Sequence, residues 1–291
     1  MFRGVFTAIV TPFKNGKVDY DALAKNIDFQ HKNGITGIVP CGTTGESPTL
    51  SHDEHEEVVE FSVKHAKGKM HIIAGTGSNS TEEALRFTAH AKKVGADGAL
   101  IVSPYYNKPT QKGLYLHFKK IADSVDIPIM IYNIPGRTGV NVETPTLTKL
   151  AADCKNIVSV KEASGSLEQM KQVITANPGM PVISGDDNLT LPLMELGGAG
   201  VVSVLSNIIP EDVVNMVKAF QSGDKKTAEG LHLKMLPLAK AMFIETNPQP
   251  IKTAMSLLGH CGGEIRLPMC EMEEANKTKL IEALKNYGLK L

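Results

Sequence analysis

The sequence predicts an α/β fold, a (β/α)8 TIM barrel followed by a C-terminal helical extension. Short apolar segments alternate with longer amphipathic ones, at intervals of about 25 to 30 residues, which is typical of repeated βα units and a parallel sheet. Eight units can be counted, and eight parallel strands close most naturally into a barrel. We therefore expect a barrel with the catalytic site over residues 1–223 and a helical region over residues 224–291.

The eight predicted strands are short and mostly apolar. The first apolar stretch is too short for a signal peptide or a membrane span. The sixth strand is almost continuously apolar, as expected for a strand that is covered on both faces, and alternation predicts Ile157, Ser159 and Lys161 on one face. The predicted strands are residues 6–10, 37–40, 71–75, 98–102, 128–132, 157–161, 181–184 and 200–204.

Helical patterns lie between the strands. Ser51 with Glu54, and Ser80 with Glu83, match the capping box at two helix starts. Glycines follow two of the helix ends. The clearest predicted helices are residues 20–33, 51–66, 81–94, 113–124 and 167–176.

Charge and cysteine content narrow the classes of ligand and location. Thirty-one basic residues balance 31 acidic ones, and no run of like charges suits nucleic acid or an anionic membrane, so we expect neither partner. The four cysteines are scattered without a C-x-x-C pair, which argues against a disulfide framework and a zinc site. A small ligand and a reducing cytoplasmic location are predicted.

Reactive side chains follow the predicted strands, where active sites of barrels are built. Lys161 ends the sixth strand, where desolvation would favour a neutral amine that can form a Schiff base. Tyr132 ends the fifth strand and could move protons, and Thr43 and Thr44 lie between glycines that suit a small carboxylate. Arg137 could bind a second carboxylate through two hydrogen bonds. Each residue alone also has an ordinary structural interpretation, as a surface lysine, a packed tyrosine, a bare turn or a surface ion pair.

His52 and His55 lie one helical turn apart beside carboxylates, an arrangement that could bind a metal. A third ligand at suitable spacing is missing. A solvated helix start is therefore favoured, and neither a metal nor a cofactor is predicted.

Five stretches together resemble the dihydrodipicolinate synthase family, which belongs to the pyruvate-dependent Schiff-base aldolases, a group that includes N-acetylneuraminate lyase. The resemblance extends along essentially the whole chain. The stretches are Gly42-Thr43-Thr44-Gly45-Glu46, Pro104-Tyr105-Tyr106-Asn107, Tyr132-Asn133-Ile134-Pro135, Val160-Lys161-Glu162-Ala163 and Gly185-Asp186-Asp187.

This resemblance implies catalytic roles for four residues. Lys161 would form the imine with pyruvate, and Tyr132 would donate and accept protons. Thr43 and Tyr106 would extend Tyr132 into a proton relay, with Tyr106 supplied by the neighbouring subunit. A homotetramer built from tight dimers is implied as well.

The resemblance also implies four substrate-binding positions. Thr44 would hold the pyruvate carboxylate, and Gly185 and the backbone of Val202 would line the same pocket. Val202 departs from the isoleucine expected at that position, although a backbone contact should tolerate the change. Arg137 would receive the carboxylate of aspartate semialdehyde, an arginine that N-acetylneuraminate lyases lack.

The implied reaction is condensation of pyruvate with L-aspartate 4-semialdehyde to 4-hydroxy-tetrahydrodipicolinate, the committed step toward diaminopimelate and lysine. One alternative is a related aldolase acting on another aldehyde, of the 2-keto-3-deoxygluconate type. A second alternative is a catalytically silent barrel used for binding, against which the presence of both Lys161 and Tyr132 argues.

Feedback inhibition by lysine is a further implication of the resemblance. Glu83 could pair with an ammonium group, and His55 favours sensitivity to lysine, whereas Pro48 resembles insensitive relatives. The positions that match the allosteric pocket at the dimer interface are Ser47, His52, His55, Asn79, Glu83 and Tyr105.

Overall fold

A closed barrel of eight parallel strands forms the centre of the chain in a computed structural model, which describes residues 2–291. Each strand pairs with its two neighbours in sequence, and the last strand pairs with the first, so the predicted fold class is confirmed. Every predicted strand exists, with ends displaced by at most two residues. The strands are β1 Gly4–Ala8, β2 Gly37–Val39, β3 His71–Gly75, β4 Gly98–Val102, β5 Ile129–Asn133, β6 Ile157–Glu162, β7 Val182–Ser184 and β8 Gly200–Ser203.

Helices follow the strands around the outside of the barrel. Helix α4 begins two residues before its predicted start, because the hydroxyl of Thr110 caps it by accepting from the Gly113 N–H. No helix of residues 2–291 is long and apolar enough to cross a membrane. The barrel helices are α1 Tyr20–Lys32, α2 His52–Ala66, α3 Thr81–Val94, α4 Gln111–Ser124, α5 Thr144–Asp153, α6 Leu167–Ala176, α7 Thr190–Glu195 and α8 Pro210–Gln221.

The two predicted capping boxes have different outcomes. At the start of α2 the box is complete: the Ser51 hydroxyl accepts from the Glu54 N–H, and the Glu54 carboxylate accepts from the Ser51 N–H. At the start of α3 only half of it forms. The Ser80 hydroxyl accepts from the Glu83 N–H, but the Glu83 carboxylate is engaged by Ser78 and His52 instead. The competing partners explain why this prediction was half wrong.

Strand β6 carries an irregularity that corrects the predicted alternation. Ile157 pairs with Ile129, whereas Ser159 pairs with Met130, so Val158 is an extra residue. Ile157 therefore packs outside the barrel, among the helices. Ser159 and Lys161 face the barrel interior as predicted, and the prediction for Ile157 was wrong because the bulge shifts the period by one residue.

The C-terminal region packs on the barrel and shares a hydrophobic core with it. That core joins Val5 and Val201 of the barrel strands to Met235 and Leu284 of the C-terminal helices. The region comprises α9 Lys225–Ala241, α10 Gln249–Leu257 and α11 Glu274–Tyr287. The segment between α9 and α10 is thereby held against the C-terminal ends of the barrel strands, where the candidate site lies.

Candidate active site

A cavity of about 260 Å³ opens at the C-terminal ends of the strands, as expected for this fold. Its walls bring together residues from six strand-to-helix loops and from the C-terminal region. The predicted site residues that line it are Thr43, Thr44, Ser47, Tyr105, Tyr132, Arg137, Lys161 and Gly185.

Lys161 lies at the floor of this cavity. Its side chain is 6% exposed, and its Nζ lies 4.0 Å from the centre of the Tyr132 ring. Burial lowers the pKa of Lys161 to about 8, although the nearby carboxylates of Asp186 and Asp187 oppose the shift. Roughly one amine in ten is then neutral at pH 7, which is far more than for an exposed lysine. The residue is thus suited to attack a carbonyl.

Tyr132 is a proton donor beside Lys161. The two residues are paired across strands β5 and β6, and they therefore project into the barrel side by side. Burial raises the pKa of the Tyr132 phenol, while the charge of Arg137 and a hydrogen bond with Thr43 act in the opposite direction. The phenol stays protonated at neutral pH and can donate to a bound substrate.

The loop that carries Thr43 and Thr44 is fixed by buried contacts. Cys41 and Glu46, which flank it, both have a φ of 54°, a conformation that non-glycine residues adopt at a cost. The carbonyl of Gly45 accepts from a buried threonine hydroxyl at 2.7 Å. The Glu46 carboxylate also forms a fully buried ion pair with Lys252 of α10. Thr44 is held in place from both sides of its loop.

Arg137 lies on a single helical turn, Pro135–Thr138, at the rim of the cavity. Its Nη2 donates to the backbone carbonyl of Asn247 at 3.0 Å. This contact keeps the guanidinium beside the cavity and leaves its other N–H groups available to a ligand. Arg137 forms no salt bridge among the residues that the structure describes, so the surface ion pair considered from the sequence is absent there.

The sequence reasoning missed several cavity residues, among them Asn247, Phe243 and Asp186. Asn247 and Phe243 come from the C-terminal region, and no pattern in the sequence connects them with loops some 200 positions earlier. Asp186 belongs to one of the five recognised stretches but was given no role. Burial raises the pKa of its carboxyl, with the charge of Lys161 acting against this shift.

Two of the eight predicted catalytic and substrate-binding residues do not line the cavity. The side chain of Tyr106 is 88% exposed on the surface, and its backbone has a φ of 72°. Val202 is fully buried in the barrel interior, and Val204, two residues later, lines the cavity.

The predicted lysine-binding residues divide into two groups. Ser47 and Tyr105 line the cavity, whereas His52, His55 and Glu83 form a separate polar cluster at the starts of α2 and α3. Asn79 lies just before α3, and its backbone carbonyl accepts from Asn107. Nε2 of His52 lies 2.6 Å from the Glu83 carboxylate.

His55 differs from the exposed polar residue expected at a helix start. Its Nε2 donates to the Gly75 carbonyl at 2.8 Å, and its ring stacks on Phe87 with centroids 4.0 Å apart. Burial lowers the pKa of His55 to about 4, so its imidazole is neutral at physiological pH. Within residues 2–291 no group of three or more His, Cys, Asp or Glu side chains is placed to hold a metal ion.

Comparisons with known proteins agree on one family. The model of the dihydrodipicolinate synthetase family matches residues 1–287. A 4-hydroxy-tetrahydrodipicolinate synthase of Endomicrobium trichonymphae is 64% identical over 289 residues, covering 99% of each chain.

Two solved structures are similar over nearly the full length. The dihydrodipicolinate synthase of Aquifex aeolicus has a TM-score of 0.98 at 52% identity, covering 100% of this chain and 99% of the other. The enzyme of Cyanidioschyzon merolae, solved with lysine bound, has a TM-score of 0.96 at 44% identity and covers 99% of each chain.

Proposed function

This chain belongs to the dihydrodipicolinate synthetase family, and from that membership we infer that it condenses pyruvate with L-aspartate 4-semialdehyde to 4-hydroxy-tetrahydrodipicolinate. The enzyme is a lyase of lysine biosynthesis. The observation that carries its chemistry is the buried, easily deprotonated Lys161 beside Tyr132, in a cavity whose rim holds Arg137.

Catalysis begins at the amine of Lys161. The neutral amine adds to the ketone carbon of pyruvate, and loss of water from this adduct gives an imine. Tyr132, with Thr43 behind it, donates the proton that lets water leave. Loss of a proton from the pyruvate methyl group then gives an enamine, which attacks the aldehyde carbon and forms the new C–C bond. The amino group of the second substrate finally attacks the imine carbon, closes the ring and releases Lys161.

Two sites for carboxylates select the substrates. Thr44 and the backbone of its loop bind the carboxylate of pyruvate, close to Lys161 and beside Gly185. Arg137 binds the carboxylate of aspartate semialdehyde through its free N–H groups. This arginine favours the semialdehyde over the aldehydes of a 2-keto-3-deoxygluconate-type aldolase, which have no carboxylate at that end.

The proposal includes a role for Tyr106 in a dimer and the assembly of dimers into a homotetramer. The exposed phenol of Tyr106 is free to enter the site of a neighbouring subunit and to extend the proton relay there. Tight dimers of this kind would pair into a homotetramer. The cytoplasmic location remains a prediction from the sequence.

Lysine is the proposed feedback inhibitor. The structure of the Cyanidioschyzon merolae relative with lysine bound supports this idea, as does the pairing of His52 with Glu83 in the polar cluster at the starts of α2 and α3. Ser47 and Tyr105 lie on the cavity side and would connect bound lysine to the active site.

The proposed function is tested by an aldehyde panel with pyruvate held constant. Aspartate semialdehyde should be turned over far faster than glyceraldehyde, and borohydride with pyruvate should add one reduced pyruvate unit at Lys161. Turnover of glyceraldehyde alone would favour the sister aldolase. An adduct at another lysine would refute the mechanism.

A further inference from the structure

Glu162 is a fully buried carboxylate that the mechanism leaves unused. It follows Lys161 on strand β6 and therefore lies on the opposite face, outside the barrel interior. A carboxylate withdrawn from water costs free energy unless its oxygens are satisfied. The groups that hydrogen-bond to Glu162 should therefore indicate its structural role.

The hydrogen-bond partners of Glu162 are all neutral donors. The carboxylate accepts from Nδ2 of Asn133 at 3.1 Å, from Nε2 of Gln169 at 3.2 Å and from the backbone N–H of Ser164 at 2.8 Å. No cation forms a salt bridge with it within residues 2–291. Three donors converging on one acceptor form a built polar site.

Because a carboxylate only accepts, Glu162 fixes which end of each neighbouring amide points toward it. The NH2 group of Asn133 faces Glu162, so its Oδ1 is left to accept from the Val142 N–H at 2.9 Å. The NH2 group of Gln169 also faces Glu162, and its Oε1 accepts from Asn141 Nδ2 at 2.8 Å. The polarity of the whole amide network thus depends on one carboxylate.

This network closes the base of the loop that carries Arg137. The chain leaves β5 at Asn133 and returns at residues 141–142, and Nδ2 of Asn133 also donates to Oδ1 of Asn141 at 2.8 Å. The loop between these points holds the guanidinium at the cavity rim, where it contacts Asn247. A shift at the base would therefore displace Arg137 from its place above Lys161.

We propose that Glu162 is a positioning residue that sets the site for the carboxylate of the aldehyde substrate, by orienting the Asn133 and Gln169 amides that hold the Arg137 loop. The inference rests on the proposed function. Thr44 lies on another loop, and Lys161, although adjacent to Glu162 on β6, projects from the opposite face into the barrel interior. The side chains of the pyruvate site therefore make no contact with this network.

Substitution of Glu162 by glutamine tests the polarity argument directly. Glutamine preserves shape but presents an NH2 group to a ring of donors, so one donor loses its acceptor or a neighbouring amide must turn around. A reversed Asn133 amide would direct its NH2 group at the Val142 N–H and open the loop base.

The expected result of Glu162→Gln is a rise of about tenfold in KM for aspartate semialdehyde. KM for pyruvate and the yield of borohydride trapping at Lys161 should stay within about twofold. In an Arg137→Ala background, Glu162→Gln should cause almost no further rise in KM for aspartate semialdehyde, because the arginine that Glu162 positions is gone. The matched control is Glu168→Gln, an exposed carboxylate six positions away on α6.

An unchanged KM for the semialdehyde, or an equal rise in both KM values, would overturn the inference and leave Glu162 a general structural residue. If Glu162→Gln does not fold, Asn141→Ala at the loop base provides the test. It should likewise raise KM for aspartate semialdehyde and leave KM for pyruvate nearly unchanged. Failure of the unmodified enzyme to turn over the semialdehyde would instead count against the proposed function.

Discussion

The side-chain amide of Asn247 donates a hydrogen bond of 3.1 Å to the hydroxyl of Thr44, although 203 residues separate them along the chain. Because the Thr44 oxygen accepts this bond, its single proton remains available to the carboxylate of pyruvate. The backbone carbonyl of Asn247 meanwhile accepts from Arg137. One residue of the C-terminal region therefore contacts both proposed carboxylate sites, through different atoms.

Asn247→Asp should weaken pyruvate binding selectively. An aspartate can only accept, so it would take the Thr44 proton, and its charge would repel the pyruvate carboxylate. We expect a loss on the order of 2 kcal/mol, which corresponds to about a thirtyfold rise in KM for pyruvate. KM for the semialdehyde should change much less, because the backbone carbonyl is retained. Steady-state kinetics measures both KM values, and Asn15→Asp, the same substitution on an exposed turn, is the control. Equal rises in KM for pyruvate and for the semialdehyde in Asn247→Asp would contradict the prediction.

Lys161 should destabilise the folded protein at neutral pH. Unfolded, the lysine keeps its proton up to its ordinary pKa of 10.5, whereas in the folded state the pKa falls to about 8. Between pH 8 and pH 10.5 the unfolded chain binds more protons than the folded protein, so the free energy of unfolding rises with pH across this window. Below about pH 8 the buried charge of Lys161 lowers the free energy of unfolding by its full amount, about 3 kcal/mol. Lys161→Met should therefore raise the unfolding midpoint at pH 7, with an advantage that disappears toward pH 10.5.

Denaturant titrations at several pH values measure this effect. Lys120→Met, at an exposed position of α4, is the control and should give a difference that does not depend on pH. A Lys161→Met variant that is less stable than the parent at pH 7 would mean that the amine is better solvated than its burial indicates.

Gly185 should be intolerant of any side chain. A Cβ there would lie 2.5 Å from the Cβ of Ala163 and 3.0 Å from the Cε of Lys161. Gly185→Ala should push the lysine aside and reduce borohydride trapping of pyruvate by about tenfold or more, since small displacements of a nucleophile are costly. Gly230→Ala, where a Cβ meets nothing within 4 Å, should leave trapping unchanged. Full trapping in Gly185→Ala would show that the lysine has room to move.

The sequence predicts local and periodic features well and long-range contacts poorly. All eight strands and the residues Lys161, Tyr132, Thr44 and Arg137 could be located because barrel topology brings the strand ends together. The contact of Asn247 with Thr44 depends on how the C-terminal helices pack, which no local pattern encodes. The bulge in β6 was missed because one extra residue leaves no compositional trace.

Tyr106 should act in the site of a neighbouring subunit. Neither Tyr106→Phe nor Lys161→Ala alone should be active, but mixed subunits should regain activity, because a hybrid dimer has one site in which both residues are intact. The unmixed variants serve as controls, and native mass spectrometry verifies that hybrids form. Proven hybrids without activity would place Tyr106 outside the relay.

Lysine should inhibit the enzyme through the polar cluster at the starts of α2 and α3. The Glu83 carboxylate, 2.6 Å from His52, can accept the ammonium group of a bound lysine. Inhibition should be largely noncompetitive with pyruvate, because the cluster lies outside the cavity that holds Lys161. Glu83→Ala should abolish it and leave uninhibited turnover near normal, whereas Glu82→Ala, the adjacent exposed carboxylate, should retain it. Rates that stay constant up to millimolar lysine, with no heat of binding in calorimetry, would refute feedback at this cluster without affecting the assignment of the reaction.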